Sequence, residues 1–499
     1  MIPTIKVVSS LSDKDRLIPV FSDEKSPWRC LPAALQPVAV AVAKRREFAG
    51  RGGETLLIAD EENQWLFTGL GKREKLTRPA LGEALGKGLA ELGQAGADKT
   101  VGVLLPGNLT GEGPWTAELA ARYAAEGLCM AGYAFNEYKS KPTPVPQLNL
   151  CVEDPDALKA LRAGAKSGQA VAQAVGLARD LINHPAAVAH PGFLLEQAKA
   201  VAKQSGARFS AIVGDALLKQ GYHAIHAVGQ ASAHPSALVV LEYGKLPGGG
   251  TAGGGKKRKA HTLALVGKGV SFDTGGLDIK PGSAMALMKK DMGGAATVLG
   301  AFAAIAALKL PLHVVAVLGL VENVVDAKSF RPGDILRSKQ GTTIEITNTD
   351  AEGRVVLADA FALARTYRPD TMVDMATLTG ACRVALGKGL MGLFCDDEAL
   401  RKGLEAAAAQ TGDMVWPLPL WQPYAKMLHS PVADLANAAS EGFAGAITAA
   451  LFLKEFAGDT RWAHLDCYAW SDGDHPLFPK GGSGVGVRLL AELAAALSE

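Results

Sequence analysis

At 499 residues the chain exceeds one ordinary core, so two domains, or one large and one small, are expected. Hydrophobic residues make up 48% and charged residues 20%, an ordinary soluble globular balance, and the formal net charge of +2 is neutral on a nucleic-acid partner. The cysteines (Cys30, Cys129, Cys151, Cys382, Cys395, Cys467) are scattered without a CxxC pair, which argues against a disulfide framework and a zinc finger and for a reduced, intracellular compartment.

The N-terminal stretch MIPTIKVVSSLSDKDRLIPV has no long apolar core behind a basic start, so no signal peptide is expected. Residues 1–160 alternate short apolar runs, Thr55–Ile58 and Val101–Leu105, with helix-like stretches at Ala80–Leu92 and Trp115–Cys129. That is an α/β pattern. It contains no His, Cys and carboxylate cluster, and a scaffold or assembly role is the expectation for this region. Residues 156–182 read as one long Ala-rich helix that Asn183-His184-Pro185 ends, because the residue before proline is pushed away from the helical region. Residues 161–184 are taken as the connector between domains.

Beyond it, a helix at Pro191–Gln204 is followed by candidate strands at His261–Val266, His313–Leu320, Thr342–Thr347, Thr371–Ala376 and Gly392–Cys395. Helices at 294–308 and 353–367 separate several of them. Such alternation predicts a largely parallel sheet covered on both faces. Ligands in such sheets sit beyond the carboxyl ends of the strands. The apolar stretch Gly294–Leu310 has only 17 residues, which suits a buried core helix rather than a membrane span. The segment Gly248–Lys259, GGGTAGGGKKRK, reads as a mobile, solvated loop rather than a nucleic-acid contact.

Four carboxylates each fall just after a strand or at a helix start. Asp273 follows the strand at 261–266 through what reads as a Gly-rich turn, Gly267-Lys268-Gly269; Asp291 precedes the helix at 294. Asp350 and Glu352 lie between the strand at 342–347 and the next helix. Singly, each has an ordinary explanation as a cap or turn residue. Gathered at one sheet edge, they would repel one another unless cations sat between them. A pair of divalent ions would neutralise all four, and paired metals are a standard means of activating water. Lys268 and Lys280 lie close by in sequence. Near metal ions a lysine is pushed toward its neutral, ligating form, and a charged one further away can steady an oxyanion. Arg354, at a helix start, suits an anion. A dinucleotide-binding reading of Gly267-Lys268-Gly269 fails, since no GxGxxG opens a helix there.

These residues carry a family resemblance. Val266-Gly267-Lys268-Gly269-Val270-Ser271-Phe272-Asp273-Thr274-Gly275-Gly276 resembles the first signature of the leucyl (cytosol) aminopeptidases. Lys289-Lys290-Asp291-Met292-Gly293-Gly294-Ala295-Ala296 resembles the second, and Asn348-Thr349-Asp350-Ala351-Glu352-Gly353-Arg354 the third. Arg331-Pro332-Gly333-Asp334, Thr377-Leu378-Thr379-Gly380-Ala381 and Trp462-Ala463-His464-Leu465-Asp466 match further, in the family's order. Val324-Val325-Asp326-Ala327 departs from it without touching an expected ligand.

The resemblance implies a metal-dependent aminopeptidase that releases N-terminal Leu, Met and similar residues from short peptides through a metal-bridging hydroxide. It implies an α/β fold: a small N-terminal α/β domain (1–160), the connector, and a larger catalytic domain (185–499) with a central, mostly parallel or mixed sheet covered by helices. Lys268, Asp273, Asp291 and Glu352 would hold the tighter metal site. Asp273, Asp350 and Glu352 would hold the exchangeable one. Zinc or manganese would be bound, with magnesium or cobalt possible at the exchangeable site. Lys280 would polarise the scissile carbonyl, and Arg354 would hold bicarbonate as a proton shuttle. Met288, Thr377 and Gly380 would line the first substrate pocket, with Leu378 beside them. A homohexamer is implied, in the cytoplasm that the scattered cysteines favour; no membrane partner is expected, and although some bacterial members of the family also bind DNA, the short basic run 256–259 on a nearly neutral chain does not lead to the expectation of a nucleic-acid partner; an inactive relative would have lost ligands that this chain keeps.

Overall fold

The structure is a computed structural model, and it describes every residue except 25–26, 97–98, 110–114, 153, 245–260 and 499. The Gly248–Lys259 segment therefore lies outside the described residues. The chain divides into two compact units, Met1–Gly176 with Asp472–Lys480, and Leu177–Ser471 with Gly481–Glu499.

Among the described residues the first unit contains six strands: β1 (Thr4–Val7), β2 (Asp15–Val20), β3 (Thr55–Ala59), β4 (Gln64–Gly69), β5 (Thr100–Leu105) and β6 (Gln147–Val152). They form one sheet in the order β1-β6-β5-β2-β4-β3, parallel throughout except for the β3–β4 hairpin. Helices α1 (Gln36–Arg45), α2 (Arg78–Gln94) and α3 (Ala117–Ala131) accompany it. Thr77 and Thr116 start α2 and α3 by accepting hydrogen bonds from the Ala80 and Leu119 amides. The long helix α4 spans Leu158–Asn183, and the boundary between the units falls within it.

The second unit opens with α5 (Pro191–Ser205), β7 (Arg208–Val213), α6 (Asp215–Lys219), α7 (His223–Gly229) and β8 (Ala237–Tyr243). Then follow β9 (Thr262–Asp273), the short α8 (Gly282–Met285), α9 (Gly293–Ala307), β10 (His313–Asn323), β11 (Ile335–Arg337), β12 (Thr343–Glu345) and α10 (Glu352–Arg365). The remainder includes β13 (Thr371–Ala376), α11 (Gly380–Leu386), β14 (Met391–Phe394), β15 (Val415–Pro417), β16 (Leu435–Ala436) and β17 (Trp462–Asp466). The main sheet runs β15-β14-β17-β13-β9-β10-β8-β7. Its centre, β17-β13-β9-β10, is parallel, and antiparallel pairings with β14 and β8 flank it. The expected mixed, helix-covered sheet is thus present.

Alternation along β9 fixes which helix covers which face. A Cβ on Gly267 would lie 2.6 Å from the Ala295 Cα of α9, so only glycine lets that helix approach so closely. One residue on, Lys268 points to the other face, where Gly353 of α10 lies against its side chain. Nearly all of α9 is buried, as a helix sealed between a sheet and its neighbours must be. Among the described residues no helix is long and apolar enough to cross a membrane.

Two expectations are corrected. Gly267-Lys268-Gly269 is not a turn: β9 continues through it to Asp273, because hydrogen bonding to β10 and β13 outweighs the low strand preference of glycine. The strand expected at 342–347 shortens to Thr343–Glu345 and leaves the main sheet for a separate three-stranded sheet, β11-β12-β16.

Candidate active site

Three neighbouring parallel strands deliver residues to one edge of the main sheet. β9 ends on Asp273, β13 runs into Thr377 and Leu378, and β17 ends on Asp466. The small sheet brings the 348–351 loop to the same place, and α10 begins there with Glu352. These elements border a cavity of about 1010 Å³. All eleven residues expected at the site line it: Lys268, Asp273, Lys280, Met288, Asp291 and Asp350, together with Glu352, Arg354, Thr377, Leu378 and Gly380.

The carboxylates are held by a dense network. Asp273 accepts from the Gly275 amide at 2.9 Å and from Asn323 Nδ2 at 2.8 Å. Asp291 accepts from Thr377 Oγ1 at 2.7 Å. Lys268 Nζ sits 2.7 Å from Asp291 Oδ2, 3.1 Å from Glu352 Oε1 and 2.9 Å from the Thr377 carbonyl, to which it donates. Lys280 Nζ lies 2.8 Å from Asp273 Oδ2 and also donates to Asp350. Ligand atoms of Asp273, Asp350 and Glu352 come within 4.8 Å of one another.

This packing strains the charges. Burial, then the Asp273 charge, pushes Glu352 up to about 8 against the opposing pull of Lys268. Asp350 is pushed up to about 6 for the same two reasons, with Lys280 opposing. Asp291 is also raised, chiefly by burial. For the lysines burial favours the neutral amine, but the surrounding carboxylates outweigh it and hold both above the usual lysine range. In the protein alone both lysines are therefore held in the charged form; the expected lowering concerns lysines beside metal ions. Cations among the carboxylates would cancel the field responsible and leave burial, which acts downward.

The donor set fits divalent cations on two further observations. Four carboxylates face two ammonium groups, so negative charge is left over in a buried place. Glu352 Oε2 is buried without any hydrogen-bond partner, though a carboxylate oxygen so placed ordinarily finds one. Arg354 shows a similar feature. Its Nη1 donates to the Asn437 carbonyl at 2.9 Å, its buried Nε has no partner, and burial lowers it to about 10.

Several supporting residues carried no signal of their own in the sequence. Asn437 donates to the Asn348 carbonyl at 2.7 Å and accepts from the Thr347 amide at 2.8 Å, pinning the carboxylate loop. Thr349 Oγ1 donates to the Gly275 carbonyl at 2.6 Å, tying that loop to the end of β9. Asp466, matched only as part of a motif, accepts from Leu378 N at 3.0 Å, Thr379 N at 3.1 Å and Thr379 Oγ1 at 2.6 Å. It fixes the 377–380 wall, whose Thr379 caps α11. Their supporting roles were not legible in the sequence, even for Thr349 and Asp466 inside quoted motifs, because each acts on a segment at least 70 residues away.

Convergent carboxylates, buried lysines and an orphaned carboxylate oxygen at the strand carboxyl ends of an α/β sheet are the features of a metal-dependent hydrolase. The model of the cytosol aminopeptidase family's catalytic domain matches residues 176–491, and that of its N-terminal domain matches residues 18–142. The "Probable cytosol aminopeptidase" of Geobacter sp. (strain M21) is 39% identical over 485 residues, covering 95% of this chain and 94% of the relative. That of Pseudomonas paraeruginosa is 42% identical over 463 residues, covering 91% and 90%. Among solved structures, the bottromycin maturation enzyme BotP in complex with Mn superposes with a TM-score of 0.84 at 34% identity, covering 98% of this chain and 100% of that one. The cytosol aminopeptidase from Coxiella burnetii gives 0.81 at 34% identity, with 99% of each chain covered. The chain belongs to the cytosol aminopeptidase family, and it is a metal-dependent aminopeptidase.

Proposed function

We propose that the enzyme releases N-terminal Leu, Met and similar residues from short peptides at the cavity bordered by Asp273, Asp350 and Glu352. The observation that carries this reading is the approach of those three ligand groups to within 4.8 Å, with Lys280 against two of them. Lys268, Asp273, Asp291 and Glu352 would hold the tighter ion; Asp273, Asp350 and Glu352 would hold the exchangeable one. When bound, the two ions supply an activated water and Lewis-acid positions for a free, neutral α-amine and for the scissile carbonyl.

The chain's own groups do the rest. Lys280 is charged and mostly buried, so its ammonium can donate to the carbonyl oxygen as negative charge develops there. Lys268 fixes Asp291 and Glu352 relative to each other and, through the Thr377 carbonyl, to the pocket wall. Arg354, with a free Nε, would hold bicarbonate, which supplies a proton carrier beside the reaction. Met288, Thr377, Leu378 and Gly380 would receive the first side chain. An N-terminally blocked peptide lacks the free amine, so an exopeptidase results.

Zinc or manganese is the proposed resident pair, with magnesium or cobalt tolerated at the exchangeable site; the manganese in BotP supports the choice of metal. A cytoplasmic homohexamer assembled through residues 1–160, joined by 161–184 to the catalytic residues 185–499, completes the proposal. Metal-replete Glu352→Gln should lose most activity on leucine-p-nitroanilide. Near-normal turnover would sink the role given to Glu352.

A further inference from the structure

One wall of the cavity carries cations that the chemistry above does not use. Lys290 belongs to the same tight turn as Met288, spanning Met288–Lys290, and is only 6% exposed. Its ammonium lies 4.8 Å from the centre of the Tyr468 ring. The Arg383 guanidinium, from α11, lies 5.1 Å from that ring centre, with Nη1 3.4 Å from the Tyr468 hydroxyl. Lys290, Arg383 and Tyr468 all line the cavity.

Among the described residues, neither cation has a carboxylate within ion-pair distance. The carboxylates whose fields reach Lys290, Asp291 and Asp466, are committed elsewhere. Asp291 is taken by Lys268 and Thr377, and Asp466 by Leu378 and Thr379. Glu441 also borders the cavity and pairs with neither cation. A buried ammonium set over a ring, with no carboxylate at ion-pair distance, bears a desolvation cost that the ring offsets in part. An incoming carboxylate would offset more of it, at a place reached from the pocket that Met288 begins.

We propose that Lys290, with Arg383 and Tyr468, forms a specificity wall that receives a carboxylate on the substrate's first side chain, so that the enzyme also releases N-terminal Glu and Asp. The inference rests on the aminopeptidase reading. An N-terminal glutamate would place its γ-carboxylate against the Lys290 ammonium, and Arg383 would supply a second, more exposed donor. Apolar first residues pack on Met288 and the Tyr468 ring and leave the cations as they are. Discrimination follows because a charged wall left unpaired is costly, whereas an apolar pocket alone separates substrates weakly.

The test uses the metal-replete full chain and compares kcat/KM on glutamyl- and leucyl-p-nitroanilide. Wild type should cleave both. Lys290→Met should lower the glutamyl-to-leucyl ratio by at least about tenfold, since it removes the charge and keeps the bulk. Lys290→Arg should retain most of the ratio, which a merely structural role would not require. The exposed Arg383→Gln should lower it by roughly threefold and serves if the Lys290 variants fold poorly. Leucyl turnover without glutamyl turnover in wild type, or a ratio unmoved in Lys290→Met and Arg383→Gln, would overturn the proposal. Absence of turnover on both substrates would instead contradict the aminopeptidase reading, and this proposal with it.

Discussion

Gly353→Ala separates helix propensity from site geometry, because the two predict opposite signs. Gly353 is the second residue of α10, and in a helix interior alanine is favoured over glycine by about 1 kcal/mol. Here the new Cβ would lie 2.4 Å from Lys268 Cε, 2.8 Å from Cδ and 2.9 Å from Nζ. Ordinary carbon contacts begin near ~3.5 Å, so the lysine must retreat by about 1 Å. A lysine on the surface would do so freely. Lys268 is 3% exposed and its Nζ is held by Asp291, Glu352 and the Thr377 carbonyl. Overpacking costs about 1–3 kcal/mol, and losing one charge-assisted hydrogen bond costs roughly 1.5–3 kcal/mol. Set against the helix gain, the net expectation is a loss of about 1.5–5 kcal/mol. Thermal unfolding of the chelator-treated protein measures the stability term, and titration with zinc measures the disturbance to the donor set. The expected variant melts lower and binds zinc more weakly. A variant that melts at or above wild type with unchanged zinc affinity would refute the reasoning.

Three other expectations follow from the same contacts. Asp466→Ala strands the Leu378 and Thr379 amides and should lower kcat/KM on leucine-p-nitroanilide by about tenfold or more at unchanged metal content, about 1.4 kcal/mol of transition-state stabilisation; Asp466→Asn, which keeps an acceptor, should fall less. Asp359, fully buried on α10, accepts from the Ile225 amide at the start of α7 and from the Lys339 amide, yet burial pushes its carboxyl up to about 6. A folded value above the unfolded one means that this contribution is complete below pH ~4 and is lost as pH rises through about 6, by about 3 kcal/mol at most. Melts of wild type and Asp359→Asn from pH 4 to 7 should therefore differ in slope, and parallel curves would contradict the assignment. Chelation should abolish peptidase activity and lower the melting temperature, since the excess carboxylate charge is then uncompensated. Adding zinc or manganese should restore both, and full activity in the chelated protein would count against metal dependence.

Much of this site was legible in the sequence because its chemistry is concentrated in short segments. Asp350, Glu352 and Arg354 fall within five residues, and Lys268 and Asp273 stand on one strand. What the sequence concealed is of two kinds. The run Gly267-Lys268-Gly269 looks like a turn, since glycine is a poor strand former, but its glycines let α9 approach the sheet while Lys268 points the other way. Local preference loses there to tertiary packing. Thr343–Glu345 has the composition of a strand, and composition does not say which sheet it joins; its partners Ile335–Arg337 and Leu435–Ala436 are too short to announce themselves. Asn437 and Asp466 act through hydrogen bonds to segments far away in the chain, so no periodicity marks them.

The central claim is that Asp273, Asp350 and Glu352, with Asp291 and Lys268, hold a pair of divalent ions. Anomalous scattering from crystals grown with zinc or manganese tests it most directly. The account predicts two peaks per chain, both in contact with Glu352 and Asp273, one also with Asp291 and Lys268 and the other with Asp350. No peak at these carboxylates, or a single ion that leaves Glu352 untouched, would contradict it.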